Sequence, residues 1–96
     1  MGQVRKLIDV LTTLELLEES ATIYVGEPWT GESPAIVEAE PSSGGLPDAA
    51  TKAGLKYFLE VFVAREFLAG WESGLDKAPS ARERCDRLIG YALDDA

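Results

Sequence analysis

A single α+β domain spanning residues 1–96 is predicted, in the order helix, β-hairpin, long helix, helix, with the hairpin packed on the helices. Three observations carry this. Apolar residues recur at helical spacing near both ends of the chain. A β-branched, alternating stretch interrupts them after residue 20. Clusters of Gly, Pro and Ser mark the changes of period. The 96 residues, 46% hydrophobic and 27% charged, suffice for one core but not for two.

Residues 3–19 read as an amphipathic helix. Val4, Leu7, Ile8, Leu11 and Leu14 form its apolar stripe, and Arg5, Lys6, Asp9 and Thr13 its polar side. Glu15, Glu18 and Glu19 crowd the last turn, where the helix dipole already places negative charge. Each such placement costs about a few tenths of a kcal/mol, so a neighbouring cation is expected to offset them.

The hairpin is expected over residues 21–40. Thr22-Ile23-Tyr24-Val25 is β-branched and aromatic, and it ends at Gly26 and Pro28. In the returning strand, Ala35, Val37 and Ala39 share one face while Ile36, Glu38 and Glu40 share the other. The loop Pro28-Trp29-Thr30-Gly31-Glu32-Ser33-Pro34 joins them. An isolated hairpin is marginal in water, so one face must lie on helices or pair further.

A linker at 41–46, carrying Ser42-Ser43-Gly44-Gly45, precedes a long helix predicted over 47–73, with Pro47 and Asp48 at its start and Gly74 as a left-handed stop. Tyr57, Val61, Ala64, Leu68, Trp71 and Leu75 trace one seam at alternating spacings of four and three. Leu55, Phe58, Phe62 and Ala69 trace a second, and Val63 and Phe67 a partial third. That is more apolar surface than one packed face requires. Either this helix is central, or one seam is a homodimer interface, for which Tyr57, Val61, Leu68 and Trp71 are the candidates. Ser80-Ala81-Arg82-Glu83 is a capping box opening a last helix over 80–94, whose apolar stripe is Ala81, Cys85, Leu88, Ile89 and Ala92. Arg82 with Asp86, and Glu83 with Arg87, have i,i+4 spacing on its surface.

Charge is unevenly placed. Between Lys6 and Lys52 stand nine carboxylates (Asp9, Glu15, Glu18, Glu19, Glu27, Glu32, Glu38, Glu40 and Asp48) and no basic residue, which accounts for nearly all of the formal charge of -8. Such a field repels nucleic acid and anionic membrane and attracts basic surfaces. The arginines of the last helix are interleaved with Glu83 and Asp86, so no basic stripe forms.

Little in the chain points to catalysis. There is no histidine, hence neither the commonest general base nor the commonest transition-metal ligand. The single cysteine, Cys85, sits on an apolar stripe and reads as a small core residue. Glu15, Glu18 and Glu19 would converge on one helical patch, but solvated surface explains them without a metal. Ser42-Ser43-Gly44-Gly45 lacks the spacing of a phosphate-binding loop and reads as a linker. Met1-Gly2 starts like a myristoylation signal, yet Lys6 stands where Ser or Thr is needed. With no signal peptide or bilayer-length apolar run, a cytoplasmic location is expected.

The expectation is therefore a small acidic, non-enzymatic interaction domain, needing no cofactor, that binds a basic surface of a partner protein. Trp29 at the hairpin loop would be its aromatic anchor, unless that ring folds back to close the core. Glu27, Glu32, Glu38, Glu40, Glu15, Glu18 and Glu19 would be its charged contacts. One alternative is an inhibitor whose carboxylates imitate a nucleic-acid backbone. Another is a small-molecule site or enzyme using a pocket between Tyr24, Tyr57, Phe62 and Trp71.

Overall fold

The computed structural model describes residues 3–42 and 44–95, and only the backbone of Asp95. Met1-Gly2 and Ser43 of the linker lie outside the described residues. A two-residue strand β1 (Arg5–Lys6) leads into α1 (Leu7–Thr12) and a 3-10 turn (Leu14–Leu16). Strands β2 (Thr22–Val25) and β3 (Pro34–Glu38) follow, then α2 (Asp48–Ala53), β4 (Lys56–Glu60), α3 (Val61–Glu72) and α4 (Ala81–Asp95). The strands form one antiparallel sheet of order β1-β3-β2-β4. The α+β class holds, and β2 and β3 form the hairpin, paired from Thr22↔Glu38 to Val25↔Ala35.

The sheet has two unequal faces. Ile23, Val25 and Ala35 point to the front, where Leu7, Val10, Leu11 and Leu14 meet Val61, Ala64 and Leu68 of α3 and Cys85, Leu88, Ile89 and Ala92 of α4. Tyr24 and Ile36 point to the back, where only Ala50 and Leu55 are buried against them. The thinness of the back layer bears on the candidate site.

The predicted long helix over 47–73 is corrected: it is a one-turn helix, a strand and a second helix. Gly54, at φ 72°, takes the left-handed conformation and ends α2. Its N–H donates to the Thr51 carbonyl (3.2 Å) and the Leu55 N–H to the Ala50 carbonyl (2.8 Å), the pattern of a Schellman stop, with Leu55 packed near Ala50. Gly74 is not a left-handed stop; Ser73 caps α3 in helical conformation.

Strand β4 evaded the period-two test because of a bulge. Ile23 pairs with Leu59 but Tyr24 with Tyr57, so Phe58 is the extra residue and both Phe58 and Leu59 join the front core. Two adjacent apolar residues on one side look helical. From Val61 onward the first seam is real: Val61, Ala64 and Leu68 are its buried stripe, whereas Phe62 and Ala69 are exposed.

The first helix is likewise shorter than residues 3–19. It breaks at Thr13, and Val4 is exposed, while Val10, outside the predicted stripe, is fully buried. The cation expected at its acidic end is Arg65 of α3. Its guanidinium donates to the carbonyls of Leu14 (3.0 and 3.2 Å), Glu15 (3.1 Å) and Leu17, and lies 4.0 Å from the Glu15 carboxylate. The break exposes carbonyls at the end of the first helix, and one side chain donates to three of them, adding to the Leu17 N–H bond that the Leu14 carbonyl already accepts (3.2 Å).

The capping box of α4 forms as the sequence implies: the Ser80 N–H donates to Glu83 Oε1 (2.8 Å) and the Glu83 N–H to Ser80 Oγ (3.1 Å). Ala81 is exposed, and the rest of the predicted stripe is buried. The arginines reach across to other elements rather than along the helix. Arg82 meets Glu32 (2.8 Å), Arg84 meets Glu72 (2.7 Å), and Arg87 lies over the Phe67 ring, which stacks on Tyr91.

Candidate protein-interaction surface

The hairpin sorts its acidic residues between two ends of the sheet. At the loop end every candidate carboxylate has a cation. Glu27 pairs with Lys56 across β4 (3.6 Å). Glu32 takes both Lys6 (3.1 Å) and Arg82 (2.8 Å), tying the loop to β1 and α4. The Arg82 hydrogen bond, followed by that of Lys6, holds the Glu32 carboxyl below the usual range. Gly31 permits this closeness, since a Cβ there would stand 2.5 Å from the Arg82 guanidinium.

Trp29 belongs to that closed end. Its ring meets Phe58 edge-on, with centroids 5.0 Å apart at 81°, and it packs on the front core. The loop beneath is locked by Ser33, a buried residue. Ser33 Oγ donates to the Pro28 carbonyl (2.7 Å) and accepts from the Thr30 N–H (2.8 Å). The half-buried indole thus closes the core edge instead of standing out as an anchor, and its Nε1 is buried without a hydrogen bond. Beside it, Glu27, Pro28, Trp29 and the exposed Leu93 line a shallow hollow of about 520 Å³.

The opposite end carries the unbalanced charge. Thr22 pairs with Glu38 on one side and Glu60 on the other, so all three share the back face with Tyr24, and Glu40 follows Glu38. Glu18 and Glu19 lie on the segment entering β2, where the Glu19 carbonyl accepts the Phe62 N–H (3.3 Å). Among the described residues, Glu18, Glu19, Glu38, Glu40 and Glu60 form no ion pair. The helical patch of Glu15, Glu18 and Glu19 does not exist, because α1 ends before them; Glu15 is on the 3-10 turn beside Arg65. Among the described residues, no group of three Cys, Asp or Glu side chains is placed to hold a metal ion.

Two tyrosines face each other here. Tyr24 is buried, and burial pushes its phenol above the ordinary value; the neighbouring Thr22 side chain opposes this, and Glu40 and then Glu38 add to the rise. Tyr57, its cross-strand partner, is 46% exposed and is raised likewise, by burial first and then by Glu60 and Glu40. Glu60 and this pairing escaped the sequence because β4 reads as helix, although Thr22-Ile23-Tyr24 already placed Tyr24 on the face opposite Ile23.

The dimer candidates separate. Val61 and Leu68 are buried in the chain's own core. Trp71 is half-buried and lines a hollow of about 460 Å³ with Leu75 and Pro79. Tyr57 alone of the four is exposed. The proposed small-molecule pocket does not assemble either: Tyr24 and Tyr57 meet on the sheet, but Trp71 lies at the far end of α3. No helix of the described residues is long and apolar enough to cross a membrane. Compared with known proteins, the chain matches no family model, no curated protein and no solved structure.

Proposed function

We propose that the chain is an interaction domain that holds a basic surface of a partner protein at the end of its sheet marked by Glu38, Glu40 and Glu60, with Glu18 and Glu19 beside them. The observation behind this is the sorting of charge: Glu27 and Glu32 are ion-paired within the chain, whereas these five carboxylates form no ion pair among the described residues. Unpaired charges of one sign at one end steer a complementary surface and set its orientation. Relative to the sequence-based expectation, the contact surface moves from the hairpin loop to the hairpin's open end.

Capture from host lysate tests the proposal. The triple variant Glu38→Gln/Glu40→Gln/Glu60→Gln is expected to lose partner retention by about tenfold or more, with an unchanged circular dichroism spectrum. Glu27→Gln, at the neutralised end, should leave retention intact. Equal retention by the triple variant overturns the assignment. Displacement of the partner by duplex DNA would favour the nucleic-acid-mimicking reading instead.

A further inference from the structure

We draw no further inference here: the strongest candidate, the shallow apolar hollow of about 520 Å³ between the hairpin loop and the end of α4, lined by Glu27, Pro28, Trp29 and Leu93, carries nothing because nothing in the structure shows what covers it.

Discussion

Replacing Arg65 tests the claim that one guanidinium closes the broken end of the first helix. In Arg65→Met the aliphatic stem is largely kept, but the donors to the Leu14, Glu15 and Leu17 carbonyls are lost. A hydrogen bond with a charged partner contributes about 1.5–3 kcal/mol. The bonds here share one donor group, and part of the 3-10 turn can turn to water, so the total is less than additive. A loss of about 2–4 kcal/mol is expected, within the range of substitutions that break a partly buried polar network. For a chain of this size that lowers the unfolding midpoint by about 10–20 °C. Urea and thermal unfolding followed by circular dichroism measure it. Arg65→Lys should recover less than half, since an ammonium cannot fork between these carbonyls. Glu15→Gln should be nearly silent, because that ion pair is exposed on the carboxylate side and 4.0 Å long. A loss below about 1 kcal/mol in Arg65→Met, or full recovery by lysine, would refute the reasoning.

Two further predictions concern buried groups. Burial, assisted by Asp86, pushes the Cys85 thiol up to about 11 from an ordinary 9.0. The unfolded thiol ionises first, so the folded state holds the extra proton and stability is lost as pH rises from about 9 to about 11. Urea midpoints across that range should fall less steeply in Cys85→Ala, and thiol reagents should fail to label the native protein at neutral pH. Ser33→Ala removes the acceptor for the Thr30 N–H and the donor to the Pro28 carbonyl. It should cost about 1–2 kcal/mol and shift tryptophan emission to the red as the Trp29 loop loosens.

Much of the fold could be read from local chemistry. The hairpin and the two faces of β3 follow from alternation in residues 22–25 and 35–38, and the capping box from Ser80 and Glu83 alone. The dipole argument at Glu15, Glu18 and Glu19 called for a cation without being able to name it, and Arg65 lies 50 residues away from Glu15. The long helix failed for a specific reason. Gly54 falls inside the predicted helix, yet its left-handed backbone is a stop, and the bulge at Phe58 erases the alternation of β4. With α3 on the front core Val61 and Leu68 are buried within the chain, and once β4 is a strand Glu60 joins the acidic face.

The sequence by itself determined the imbalance of charge, the hairpin and the inert cysteine, because each depends on residue type and near neighbours. Only the tertiary structure decided which carboxylates remain unpaired. Lys6, Lys56 and Arg82 are remote in sequence from one another, yet the sheet and α4 bring them to Glu27 and Glu32. Antiparallel pairing of β2 with both β3 and β4 sets Glu38 and Glu60 on either side of Thr22, with Tyr24 in the next row. Local patterning determines which face a side chain can take; strand order determines which charges it meets there.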